Sequence, residues 1–265
     1  MSFVDHLEEL RWHIVRCLIA IVVIAIVIFA NMDWYFDTVI LGPIRPGFIS
    51  YSKLCQFSHW IGAGESLCVP VTQTRLQATT FGSQFISSIS IAFVSGFIIA
   101  FPYIFWEFWR FIKPALTPKE ISTTRFSIFF VSFFFFLGAA FGYYLLAPFT
   151  FSFLGNYKLG TLDLLETRPT LSDYVENLVD ITLGGALAFQ LPVVAYVLTR
   201  IGIVTPVFLR TYRKYSYVAI LIVAAIITPS PDWMSQMIVT IPLMVLYELS
   251  ILISKRVYKT HFSNE

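Results

Sequence analysis

Three carboxylates, Asp5, Glu8 and Glu9, crowd one side of the stretch SFVDHLEELRWHIVR, residues 2 to 16. Like charges on neighbouring helical turns repel by about 0.2–0.5 kcal/mol per pair, so such a cluster is suited to meeting a cation. Phe3, Leu7, Leu10 and Ile14 recur at helical spacing, and Ser2 stands three residues before Asp5 as an N-cap. Residues 1–13 are therefore expected to form an amphipathic, acidic helix running into the first long apolar stretch. The plainer reading is a solvated anchor in which Glu8 pairs with Arg11.

A further carboxylate, Glu120, follows Thr117 and Pro118. These positions match the N-cap, N1 and N3 of a capping box, which gives Glu120 a structural role. The functional alternative is a second acid facing the Glu8/Glu9 cluster beside the exposed aromatic Phe111. Gln190 is a polar group inside an apolar stretch, two residues before Pro192. It serves either an interhelical hydrogen bond or a polar point on a substrate path. Asp232 precedes the last apolar stretch and can cap it.

Cys55 and Cys68 share one outer loop, which faces an oxidising compartment where a periplasm exists, and they are expected to form a disulfide. Cys17 lies within a span and behaves there as a small apolar residue. His6, His13, His59 and His261 are scattered. No zinc spacing, nucleophile elbow or Walker loop occurs, so an intramembrane protease or an ATP-driven pump lacks its chemistry. No enzyme activity, metal or cofactor is expected.

The elements that must position these residues follow from composition. Hydrophobic residues make up 57% of the chain and charged residues 13%, against about a quarter charged in soluble domains. That balance specifies an all-α polytopic membrane protein, with residues 1–265 as one integral membrane domain. The acidic start and the lack of a small-residue cleavage site make the first run a retained span.

Six spans are expected, near residues 14–34, 81–108, 126–146, 175–199, 215–227 and 234–253, the last two short. Pro148 is read as ending the third, and Pro242 and Glu248 as interrupting the last. Residues 37–80 and 149–174 are outer loops, and 110–125 is the first cytoplasmic loop. With the N-terminus inside, Arg11, Arg16, Arg110, Lys113, Lys119, Arg125, Arg200, Arg210, Arg213, Lys214, Lys255, Arg256 and Lys259 collect on the cytoplasmic side. Only Arg45, Lys53, Arg75, Lys158 and Arg168 remain outside, which places both termini in the cytoplasm.

Four segments carry a family resemblance. His6-Leu-Glu-Glu-Leu-Arg11, Phe111-Ile-Lys-Pro-Ala-Leu116 followed by Glu120, Ala188-Phe-Gln-Leu-Pro192, and Thr228-Pro-Ser-Pro-Asp-Trp-Met-Ser-Gln236 resemble TatC, the large six-span subunit of the twin-arginine protein translocase. The resemblance spans nearly the whole chain in order. The loop from about residue 49 to 72 is an elaboration, and Gln190 stands where many family members have Glu.

The resemblance implies a receptor in the bacterial cytoplasmic (inner) membrane that supports export of folded proteins, driven by the proton-motive force. Glu9 and Glu120 would accept the arginines of twin-arginine signal peptides, with Glu8, Arg11 and Phe111 shaping that surface. Gln190 would mark the intramembrane polar position and Asp232 the outer hairpin. Implied partners are single-span subunits of the TatA/TatB type, further copies of the chain in a larger complex and the lipid bilayer, with no nucleic acid. In an extended peptide adjacent side chains point opposite ways, so two adjacent arginines need two separate carboxylates. The alternative function is a small-solute secondary transporter, which would want ionisable groups at the midplane where the sequence offers Gln190.

Overall fold

The computed structural model describes residues 3–60, 68, 75–113, 127–157, 168–200, 202–228 and 233–262. The main helices are α1 (Phe3–Ala30), α2 (Ile49–Trp60), α3 (Ser83–Ile112), α4 (Ser127–Phe141), α5 (Ala147–Asn156), α6 (Leu171–Ala188), α7 (Leu191–Arg200), α8 (Pro206–Thr211), α9 (Arg213–Ile227) and α10 (Trp233–Phe262). Five apolar helical stretches are long enough to cross a membrane: Glu8–Ala30, Ser83–Ile112, Ile128–Asn156, Leu171–Arg200 and Gln236–Lys259. Large apolar side chains such as Ile26, Phe85, Phe129 and Ile226 are more than half exposed along these helices and α9. Such extensive outward apolar surface suits lipid and not water. The molecule is an all-helical membrane protein with five long apolar helices.

Small residues set the helix crossings. A Cβ on Gly138 would sit 2.5 Å from the Gly185 carbonyl oxygen, and one on Gly142 would sit 2.6 Å from that of Ile181. Hence α4 and α6 approach backbone to backbone, the contact that small-xxx-small spacing permits. Gly96 on α3 gives α1 the same access, since its Cβ would meet the Ile21 carbonyl oxygen at 2.9 Å. Phe135 of α4 is fully buried and stacks on Phe101 of α3, with ring centroids 3.5 Å apart. Ile181, Ala224 and Leu243 bring α6, α9 and α10 into one buried cluster.

Three boundaries differ from the expectation. Pro148 does not end the third span. A π-helical turn, Gly142–Leu146, joins α4 to α5, and the helix continues to Asn156. Proline lacks a donor, and at the first positions of α5 the wider turn absorbs that missing bond. The segment 149–174 is thus helical over its first part. Nor is the last helix short, because α10 has 30 residues with Pro242 inside it. Glu248 does not interrupt it: the carboxylate accepts from Arg213 Nη2 at 2.7 Å and from Tyr217 Oη at 2.6 Å, both on α9. The fourth span is two helices, broken at Phe189-Gln190, where Pro192 cannot donate back to the previous turn.

The segments between α1 and α3 and before α6 are tied together locally. Gln77 N–H donates to the Pro169 carbonyl at 3.1 Å, and Leu171 N–H donates to the Gln77 carbonyl at 2.9 Å. Three tyrosine hydroxyls fasten the turn after α1: Tyr143 donates to Val39 O, Tyr174 to Ile40 O and Tyr51 to Pro43 O. Each satisfies a carbonyl that the irregular backbone leaves free. Burial pushes the Tyr51 hydroxyl up to about 12.

Candidate functional site

The N-terminal end of α1 and the C-terminal end of α3 meet at one buried carboxylate. Glu107 is 1% exposed, in a sequence of aromatics that reads as an interfacial belt. It accepts a hydrogen bond from His13 Nδ1 at 2.5 Å and another from Tyr103 Oη at 3.0 Å. Arg16 Nη1 stands 3.7 Å from the same carboxylate. An acid this deep is retained only where donors surround it, and here α1 and α3 both supply them. The His13 ring also packs edge-on against Phe111, with centroids 5.9 Å apart. One histidine therefore links the buried acid to the aromatic singled out from sequence.

Glu9 lies one helical turn before His13 on α1. It is half-buried, and its Oε2 is buried with no hydrogen-bond partner among the described residues. A carboxylate oxygen shut off from water without a donor is unfavourable, and the deficit is removed when a cation enters. Glu8 is exposed. Arg11 is exposed too, and its guanidinium lies over the Trp12 ring at 5.7 Å. Among the described residues no ion pair joins Glu8 to Arg11, so the simple anchor reading loses its pairing. Phe111 is half-buried. Glu120 and Asp232 fall outside the described residues.

Gln190 occupies the break between α6 and α7. Its Nε2 donates to the Val131 carbonyl of α4 at 3.3 Å. The side chain thus bridges two spans where the helix is interrupted. Cys55 and Cys68 are joined by a disulfide with a Cα–Cα distance of 4.4 Å. His59 lies beside them, but the bonded sulfurs offer no thiolate for a metal.

The structure therefore brings Glu9 and Phe111 to one end of the α1–α3 pair and keeps the cysteines in a separate segment. Sequence reasoning missed Glu107 and His13, which hold that end together. The available signal was an acid inside an otherwise aromatic and apolar helix end, Trp106-Glu-Phe-Trp109.

These features define a multi-pass helical membrane protein whose first two spans meet at a buried acid, with Glu9 and Phe111 at the same end. A sequence profile described as "Sec-independent protein translocase protein (TatC)" matches residues 5–242. The TatC of Blattabacterium sp. subsp. Periplaneta americana is 36% identical over 262 residues, covering 98% of this chain and 97% of the relative. That of Helicobacter pylori strain J99 is 42% identical over 178 residues, covering 67% and 70%. A crystal structure of the twin-arginine translocase receptor TatC superposes with a TM-score of 0.70 at 30% identity, covering 95% of this chain and 99% of that one. The chain belongs to the TatC family of Sec-independent protein translocases. It is a transport component and not an enzyme.

Proposed function

We propose that the chain is the receptor subunit for folded exported proteins whose signal peptides carry two consecutive arginines, with Glu9 and Glu120 each accepting one. The observation that carries this reading is the buried, partnerless Oε2 of Glu9 beside the Phe111 end of α3. An arginine fork supplies the donor that this oxygen lacks, and lysine, without a planar fork, serves less well. Arg11 and Phe111 shape the surface, and Glu8 adds negative potential. Gln190 acts as a hydrogen-bonding and not a charged intramembrane point, and Asp232 belongs to the hairpin before α10.

In this reading α9 is the fifth of six spans. Its 15 residues rise about 22 Å, short of the roughly 30 Å hydrocarbon core. It leans on α6 and α10 to cross: a Cβ on Gly184 would lie 2.9 Å from Ile227. The excess of Lys and Arg at the ends of α3, α7 and α10 supports cytoplasmic termini and a place in the bacterial inner membrane. Partners are TatA/TatB-type single-span subunits and further copies of the chain in one complex, with the proton-motive force as energy source.

A shielded bidentate arginine–carboxylate contact is worth about 1.5–3 kcal/mol, so losing one weakens binding about tenfold or more. Glutamine serves at N3 of a capping box as glutamate does, so Glu120→Gln separates the binding role from the structural one. The test is the affinity of a twin-arginine signal peptide in nanodiscs for wild type, Glu9→Gln and Glu120→Gln, with the twin-lysine peptide as control. Unchanged affinity in both variants would show that the two acids are structural only.

A further inference from the structure

Arg200 ends α7 and carries a second unanswered charge. Its Nη1 donates to Tyr196 Oη at 2.7 Å, and the guanidinium lies 6.0 Å from that ring's centroid. Its Nε and Nη2 are buried and have no hydrogen-bond partner among the described residues. Arginine does not lose its proton in proteins, so this is a permanent cation with two vacant donors. Those two nitrogens form the side-on fork of the guanidinium, the geometry that matches two oxygens of one anion. The dipole at the C-terminus of α7 favours a cation there but supplies no acceptor for either nitrogen.

The position is fixed by packing. Thr199 Oγ1 donates to Ser254 Oγ at 2.8 Å, and both residues are fully buried. The last turn of α7 is thereby pinned to α10 one residue before Arg200. Lys255 follows Ser254 directly, and Lys259 lies one turn further on the same face of α10, both exposed. Arg210 on α8 and Lys214 on α9 add charge of the same sign. Among the described residues from 191 to 262 the one carboxylate is Glu248, and its two oxygens are taken by Arg213 and Tyr217. Glu107 is likewise committed to His13 and Tyr103. Val197 before it and Ile203, Val207 and Phe208 after it in the chain are exposed apolar side chains. The vacant fork thus sits at a boundary between a basic helix-end surface and surface suited to acyl chains.

We propose that Arg200 is the centre of a binding site for the phosphate of an anionic phospholipid from the leaflet at this end of the helices. Nε and Nη2 hold two phosphate oxygens, Lys255 and Lys259 add attraction, and the acyl chains lie along α7 and α8. Basic pockets between membrane helices take such headgroups by this physics.

The test uses the full chain, purified in detergent, stripped of lipid and examined by native mass spectrometry. Phosphatidylglycerol and phosphatidylcholine of identical acyl chains are compared as added lipids. Wild type is expected to prefer phosphatidylglycerol by about tenfold or more, and Arg200→Gln to lose that preference. Arg200→Lys keeps the charge without the fork and is expected to fall between them, which covers the case in which Arg200→Gln does not fold. A wild type without preference, or an Arg200→Lys that matches wild type, overturns the proposal. Displacement of the lipid by inorganic phosphate at equal concentration also overturns it, because the site would then be one for a free anion.

Discussion

Replacing Glu107 with leucine tests whether the buried acid holds the first two spans in register. The carboxylate is 1% exposed, receives His13 Nδ1 at 2.5 Å and Tyr103 Oη at 3.0 Å, and has Arg16 at 3.7 Å. Removing one member of a buried pair costs about 3–5 kcal/mol, chiefly because the other member is left unpaired. The exposed portions of Tyr103 and Arg16 let both turn to water, whereas His13 is 6% exposed and cannot. The expected loss is therefore at the lower end, about 3 kcal/mol. Glu107→Gln retains an acceptor and loses only the charge, so about 1–2 kcal/mol is expected. The double variant His13→Leu/Glu107→Leu removes both polar partners, which is often near neutral when packing is kept. A double-mutant cycle should accordingly show coupling of about 2 kcal/mol or more. Stability is read by reversible unfolding in mixed detergent, and twin-arginine peptide affinity is measured on the same samples. The single variant should weaken binding and the double variant should partly restore it. A Glu107→Leu cost below about 1 kcal/mol, or no coupling in the cycle, refutes the register argument.

Three further outcomes are expected. In non-reduced protein, thiol labelling after unfolding should modify Cys17 and leave Cys55 and Cys68 untouched; the closed loop, with a sequence separation of 13, contributes about 3 kcal/mol by chain entropy. Gln190→Leu removes an interhelical bond to Val131 worth about 0.6–2 kcal/mol and should impair export, measured with a reporter cargo, while membrane insertion stays normal. Tyr51 keeps its proton up to about 12, whereas an unfolded tyrosine ionises near pH 10. The folded state then holds more protons between those values, so its stability is intact below pH 10 and falls as pH rises toward 12. Unfolding curves should lose this part of their alkaline slope in Tyr51→Phe.

The acidic start of α1 and the apolar stretches were legible because their signals are local. Helical spacing, composition and charge asymmetry are properties of neighbouring residues, and α1, α3 and α10 were all expected from them. What escaped depends on partners far along the chain. Glu107 reads as one acid in an aromatic helix end until His13, 94 positions earlier, is brought against it. Glu248 looks like a break in the last helix until Arg213 and Tyr217 neutralise it from α9. Pro148 fails as a terminator because the π-helical turn before it relieves the local backbone, which no side-chain pattern announces. The interhelical bond of Gln190 was one of two readings left open in the sequence, because its acceptor is a main-chain carbonyl and leaves no mark in side-chain identity.

The same helices leave much of their apolar surface uncovered. In an apolar 18-residue portion of each of the five long stretches fewer than half of the residues are buried, from 22% in α1 to 44% in α10. A stripe of about 100° takes up roughly a third of a helix surface, so these shares are those of one packed face, with the remaining faces left to the surroundings. The cavity beside Asp37, Arg45 and Arg75 is about 810 Å³. A folded domain of a hundred residues has a radius of gyration near 13 Å and occupies more than ten times that volume. A pocket of that size cannot enclose such a domain. In the proposed function, the end of α1 and α3 that carries Glu9 and Phe111 takes the signal peptide, which needs no conduit of that size because the folded domain itself is not held there.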